Sequence, residues 1–359
     1  MNKKIGIVTV YDSTNLGSYL QALAMQELVK ERGDVPFFIQ TRSRFSTLCL
    51  FLGLNMAEQV SPKKILRFVL HLIKHAGKTK NKINKYRAYR RNWEKLERVV
   101  SLKKANRMNL DAVLLGSDEI WNVKQAAFRN PIMYGIGINA KKKIAYAVSA
   151  GHMDVDDWKK YPYIINAIKK LDGVFVRDEY TAKILEKNGF EVTGKMCDPT
   201  LQTDIRKHMK DYQCKKERYM VIYSYKVTQE MQEMLQSFAK EKGLITVAVS
   251  LPQDWCDVYL NCSPLEFGNI LKDAEFVYTT TFHGTIFSAL YHTKCVVFPA
   301  VQKVRDVAEL LGIENMLIDE DCTKEKLEEI LCMERDYEKV EQRILKIRED
   351  SKQKYEKYN

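Results

Sequence analysis

Residues 278–291 read Y-T-T-T-F-H-G-T-I-F-S-A-L-Y. With Phe276 and Val277 ahead of them, the opening residues form a β-branched, aromatic run suited to a buried strand. Ile286, Phe287, Ala289 and Leu290 then recur at helical spacing. A strand that feeds a helix through Phe282-His283-Gly284 sets an imidazole at the strand's C-terminal end and beside a helix N-terminus. Ligands of open α/β sheets bind at that edge, and the N–H groups of a first helical turn favour an anion. For a lone His-Gly the plainer reading is a core histidine beside a turn glycine, so the rest of the chain has to decide.

The same strand-to-helix rhythm runs on both sides of this stretch. Residues 5–11 form a first strand, 12–18 a polar turn, and 19–28 an apolar-periodic helix, the opening unit of a Rossmann-like domain. The turn is not a G-x-G-x-x-G fingerprint, so dinucleotide binding has little support. Strands follow at 35–40, 111–115, 143–148 and 173–176. Three of these run into polar residues: Gly116-Ser117-Asp118, Ser149-Ala150-Gly151 and Arg177-Asp178. Small residues at a strand end let a ligand approach the backbone, although a capped helix start explains Ser-Asp as well. Arg177 suits bidentate capture of a carboxylate or phosphate, or else pairs with Asp178 or another acidic group. Strands at 219–225, 244–249 and 295–299, with helices between them, build a second domain; residues 323–359 read as a charged helical tail.

At 359 residues the chain is long enough for two cores. No apolar run is long and uninterrupted enough to span a bilayer, and no signal peptide is visible. The eight cysteines include no C-x-x-C pair and no metal-ligand cluster, so they read as reduced cytosolic thiols. The formal charge of +12 is concentrated: residues 61–110 carry sixteen Lys/Arg against Glu94 and Glu97. From Pro62 to Lys78 the basic and polar positions Lys63, Lys64, Arg67, His71, Lys74 and Lys78 step by three or four, with Ile65, Leu66, Phe68, Val69, Leu70, Leu72 and Ile73 on the other side. Such a helix lies on an anionic membrane surface or packs on its own domain with a solvated basic face. No nucleic-acid motif accompanies the charge, and nucleic acid is not expected as a partner.

The order of these pieces resembles the polysaccharide pyruvyl transferase family over about residues 4–315. The matching segments are N-L-G-S-Y-L-Q-A-L-A-M-Q (15–26), G-S-D-E-I-W-N (116–122), Y-A-V-S-A-G (146–151), V-F-V-R-D (174–178), D-P-T-L (198–201), T-F-H-G-T-I-F-S (281–288) and V-R-D-V-A-E-L-L-G-I (304–313). The chain departs from the usual pattern at Leu16, Ser18, Glu119 and Ala150, which bears on the acceptor more than on the chemistry.

The resemblance implies an α/β protein of two Rossmann-like domains facing across a cleft, similar to GT-B enzymes. The expected divisions are an acceptor-side domain at 1–210 carrying a basic helical insertion at about 41–108, a phosphoenolpyruvate-side domain at 211–322, and the tail. The implied reaction moves a pyruvyl group from phosphoenolpyruvate to a saccharide as a ketal, in cell-surface polysaccharide assembly, with no metal and no organic cofactor. His283 is the expected proton donor or stabiliser of the leaving phosphate, and Asp118 a base for the acceptor hydroxyl. Arg177, Lys303 and Arg305 supply cations for the donor, with Gly284 and Thr285 donating from the helix N-terminus. Asn15, Gly17, Ser117, Ser149 and Asp198 are expected substrate contacts in the first domain. A lipid-linked acceptor at the inner face of the membrane would give the basic segment its use. A nucleotide-sugar glycosyltransferase and a non-catalytic glycan binder are the competing readings.

Overall fold

A computed structural model describes residues 2–56, 61–93, 96–212 and 218–358. The chain divides into two compact units, one of Met1–Thr203 with Ser351–Asn359 and one of Asp204–Asp350. The tail is thereby shared between them.

The first unit runs β1 (Lys4–Val8), α1 (Leu16–Glu31), β2 (Val35–Phe38), α2 (Arg44–Leu52), α3 (Pro62–Lys74), α4 (Ala76–Trp93) and α5 (Leu102–Ala105). It continues with β3 (Leu110–Leu115), β4 (Ala140–Val148), α6 (Pro162–Ile168), β5 (Gly173–Val176), α7 (Glu179–Lys187), β6 (Gly194–Lys195) and α8 (Pro199–Gln202). Its six strands are parallel in the order β2-β1-β3-β4-β5-β6. The order reverses between β1 and β3, where Ile7 pairs with Leu114. Strands such as Leu110–Leu115 are apolar almost throughout because helices cover both faces of a parallel sheet.

The second unit runs β7 (Tyr219–Tyr223), α9 (Gln229–Glu241), β8 (Ile245–Val249), β9 (Val258–Leu260), α10 (Pro264–Lys272) and β10 (Phe276–Thr279). It ends with α11 (Phe282–Leu290), β11 (Cys295–Val297), α12 (Gln302–Leu311), α13 (Lys324–Cys332) and the greater part of α14 (Tyr337–Tyr358). The order β11-β10-β7-β8-β9, again all parallel, reverses between β7 and β10. Each unit is thus a doubly wound Rossmann-like sheet, and each has one topological switch point at which a ligand crevice is expected.

Several element bounds differ from the sequence reading. The first helix begins at Leu16, not Tyr19, because the Asn15 side chain caps it by accepting from the Gly17 N–H at 2.9 Å. The helix expected over 62–78 stops at Lys74, and Lys78 belongs to the next one. His75 leaves helical geometry (φ −114°, ψ 42°), and the Thr79 hydroxyl reaches back to the Leu72 carbonyl. These local hydrogen bonds are invisible to hydrophobic periodicity.

Candidate functional site

In the second unit the switch point lies where β7 and β10 end. Thr279 ends the apolar strand, Thr280 and Thr281 follow it, and all three are buried. Thr279 donates to the Tyr223 carbonyl at 2.8 Å, and the Thr280 and Ser224 hydroxyls share a hydrogen bond of 3.0 Å. Thr281 is the N-cap of α11: its hydroxyl accepts from the Gly284 N–H, and its carbonyl from the Thr285 N–H. Such a cap is worth about 1 kcal/mol. The helix therefore starts at Phe282 and holds His283 in its first turn.

Gly284 and Thr285, expected to donate to a ligand, instead direct those N–H groups to Thr281. Glycine is required at 284 for packing, since a Cβ there would sit 2.2 Å from Thr279 Oγ1 and 2.6 Å from Thr281 Oγ1. His283 is half-buried, with the Phe282 ring edge-on to it at 5.3 Å between centroids. Lys303, near the start of α12, places its ammonium 5.8 Å from the centre of that Phe282 ring. The fold thus gathers His283, Phe282 and Lys303, twenty residues apart in sequence. Arg305 is exposed on the same helix as Lys303.

In the first unit the switch point lies at the ends of β1 and β3. Gly116 adopts φ +138°, and a Cβ there would meet the Tyr146 carbonyl oxygen at 2.1 Å, so the turn after β3 depends on glycine. Asp118, also at positive φ (70°), is half-exposed and accepts from the Ser18 hydroxyl at 2.7 Å and from the Glu119 N–H at 2.8 Å. Gln21, fully buried on α1, donates to Thr9 Oγ1 and to the carbonyls of Val10 and Ser18, tying α1 to the end of β1. The Ser117 hydroxyl is buried with no hydrogen-bond partner among the described residues. Ser149 is buried too, accepting from the Gly151 N–H on its hydroxyl while its backbone bridges Asp118 and Trp121.

Arg177 and Asp198 do not present themselves to a ligand. Their side chains are 4% and 0% exposed and form an ion pair of 3.0 Å. Asp198 also caps α8, accepting from the Thr200 N–H and hydroxyl. Burial works against the Arg177 charge, but the carboxylates of Asp198, Asp118, Asp178 and Glu119 outweigh it and hold the guanidinium's pKa above its ordinary value. Asn15 and Gly17 are occupied with each other in the α1 cap. Sequence reasoning gave Gln21 and Thr281 no part, and it named Ser18 only as a departure from the usual pattern, not as a partner of Asp118. A threonine run directly before a helix is a capping signal that would have found Thr281, whereas nothing local marks Ser18 or Gln21.

Among the described residues no group of three or more His, Cys, Asp or Glu side chains gathers as metal ligands. No helix among them is long and apolar enough to cross a membrane.

A family model described as polysaccharide pyruvyl transferase matches residues 15–299. Among curated proteins none matches the sequence. Of solved structures, a putative UDP-N-acetylglucosamine 2-epimerase from Listeria monocytogenes shares 12% identity at a TM-score of 0.53, over 100% of this chain and 98% of its own. The UDP-GlcNAc 2-epimerase of Methanocaldococcus jannaschii shares 12% at 0.52, with 94% of each chain covered. At such identities the likeness speaks for the fold alone, a GT-B-type pair of Rossmann-like domains.

Proposed function

The chain belongs to the polysaccharide pyruvyl transferase family, and from that premise we propose that it transfers a pyruvyl group from phosphoenolpyruvate to a saccharide diol, forming a ketal and releasing phosphate. The observation that carries this reading is the His283–Phe282–Lys303 grouping at the β7/β10 switch point. A lysine ammonium pairs with phosphate or carboxylate as a point charge. An imidazole moves a proton near neutral pH.

Protonation of the donor's methylene carbon makes C2 electrophilic, and one sugar hydroxyl adds there. Departure of phosphate lets the second hydroxyl close the ring. One hydroxyl proton leaves with phosphate, and the other balances the proton taken up by the new methyl group. His283 serves as proton donor to carbon or to the departing phosphate, and Lys303 and Arg305 hold the anion. In the first unit Asp118 takes the acceptor proton, set in place by Ser18 and the Glu119 N–H.

The acceptor is read as lipid-linked, with α3 resting on an anionic membrane face. α3 buries none of its side chains, and Leu66 and Ile73 are 61% and 67% exposed beside Lys63, Arg67 and Lys74. An apolar stripe edged with cations complements an anionic lipid surface.

The test is thermal stabilisation of the intact chain by phosphoenolpyruvate beside UDP-N-acetylglucosamine, for wild type, His283→Ala and Lys303→Ala. A ligand that binds only the native state raises the melting temperature. A shift with phosphoenolpyruvate alone, lost in Lys303→Ala, is expected. A shift with the nucleotide sugar alone would overturn the reading in favour of a glycosyltransferase.

A further inference from the structure

One buried amide ties together the two elements that hold Asp118. Gln21 on α1 is fully buried, and Thr9, the residue directly after β1, is 1% exposed. Gln21 Nε2 donates to the Ser18 carbonyl at 2.8 Å, to Thr9 Oγ1 at 2.8 Å and to the Val10 carbonyl at 3.1 Å. The reverse orientation would set the amide oxygen against two carbonyls, so the side chain has one way to lie.

From this amide two routes lead to Asp118. In the first, Ser18 stands in the opening turn of α1, and its hydroxyl donates to Asp118 Oδ2 at 2.7 Å. In the second, Thr9 accepts from Gln21 and donates to the carbonyl of Ser117, the residue just before Asp118. At 3.4 Å that contact is the weaker of the two. Asp118 itself has φ 70°, an uncommon backbone conformation for a residue with a side chain, and its neighbours have to keep it there.

Stability alone accounts poorly for these side chains. Gln21 Oε1 and the Ser117 hydroxyl are buried with no hydrogen-bond partner among the described residues. A buried polar atom without a partner destabilises a fold. What Gln21 contributes is its nitrogen, which fixes Ser18 and Thr9. Placement matters to a general base, since a shift of 1 Å can cost about a hundredfold in rate.

We propose that Gln21 and Thr9 are positioning residues for Asp118, fixing the Ser18 hydroxyl and the Ser117 carbonyl and through them the direction of the carboxylate. The proposal rests on the reading of Asp118 as base for the acceptor hydroxyl. It adds two residues whose burial keeps them from any substrate.

The experiment is carbodiimide labelling of Asp118 across pH, read by mass spectrometry on the intact chain. Wild type is compared with Ser18→Ala, Gln21→Met, Thr9→Val, which keeps the shape without the hydroxyl, and Thr9→Ser, which keeps the hydroxyl. A carboxylate that loses a hydrogen-bond donor holds its proton to higher pH. The Arg177 guanidinium, whose charge Asp118 helps to hold, is present in every variant, so a shift reports the hydrogen bonds. The labelling midpoint should rise by about one pH unit in Ser18→Ala and about half as much in Gln21→Met. Thr9→Val should shift in the same direction, and Thr9→Ser should match wild type. A purely structural role would lower the melting temperature and leave the midpoint in place. Midpoints equal to wild type in Gln21→Met and Thr9→Val, with Ser18→Ala shifted, overturn the proposal, since Ser18 would then hold Asp118 unaided. If Gln21→Met fails to fold, the Thr9 pair decides alone. Titration of the same proteins with phosphoenolpyruvate and UDP-N-acetylglucosamine should give equal phosphoenolpyruvate affinity throughout. Wild type that binds only the nucleotide sugar would sink the pyruvyl reading, while the midpoints would still decide whether Gln21 and Thr9 set Asp118.

Discussion

Ser18 gives its hydroxyl to the Asp118 carboxylate at 2.7 Å although 100 residues separate them. The contact joins the first turn of α1 to the turn after β3, the two elements that flank the switch point of the first unit.

Ser18→Ala should lower kcat about tenfold, the worth of one hydrogen bond to a charged group, with KM for phosphoenolpyruvate unchanged. Ser18→Thr should restore most of it. Steady-state kinetics of the three proteins check this, and an unchanged kcat would show that Asp118 needs no help from Ser18.

The buried Arg177–Asp198 pair makes a different forecast. Removing one member leaves the other charge enclosed without its partner, which costs about 3–5 kcal/mol. Arg177→Met and Asp198→Asn should each lower the melting temperature of the first unit by about 10 °C. Phosphoenolpyruvate binding, measured below that transition, should survive.

Gly284→Ala forces a methyl group against the Thr279 and Thr281 hydroxyls at the cap of α11. Overpacking of this kind costs about 1–3 kcal/mol and displaces the turn that carries His283. Chemical denaturation should show the loss in the second unit, together with weaker phosphoenolpyruvate binding.

If α3 meets a membrane, the chain should float with vesicles containing phosphatidylglycerol and not with pure phosphatidylcholine. Each cation near an anionic surface contributes about 1 kcal/mol, so replacing Lys63, Lys64, Arg67 and Lys74 by Gln should weaken flotation about a thousandfold at low salt. Leu66→Ser with Ile73→Ser should abolish it too. Unaltered flotation in either variant excludes α3 as the contact.

The thiols set an alkaline limit. Burial pushes Cys197 and Cys256 up to about 12, with Asp198 adding to the first and Asp257 to the second, and it pushes Cys295 up to about 11. Their folded values exceed the unfolded value near 9, so their contribution is intact below about pH 9 and is lost as pH rises toward 11–12. Melting temperature should fall over that window. At pH 8 an alkylating reagent should modify exposed Cys332 well before these three.

The sequence by itself determined the two parallel sheets, since apolar β-branched runs alternating with 3.6-period helices admit little else. It placed His283 at a strand end, Asp118 after β3, and the basic helices between β2 and β3. Gly17, Gly284, Thr285, Arg177 and Asp198 each make a hydrogen bond or ion pair within the fold, and for Arg177 an acidic partner was one of the two readings that its type and place allowed.

Only the tertiary structure decided which groups meet. Ser18 reaches Asp118, and Lys303 comes to the Phe282 ring beside His283. The physical reason is range. Propensity, periodicity and capping act over a few residues along the chain. Ion pairs, polar contacts and cavities arise where crossover connections bring distant strand ends side by side.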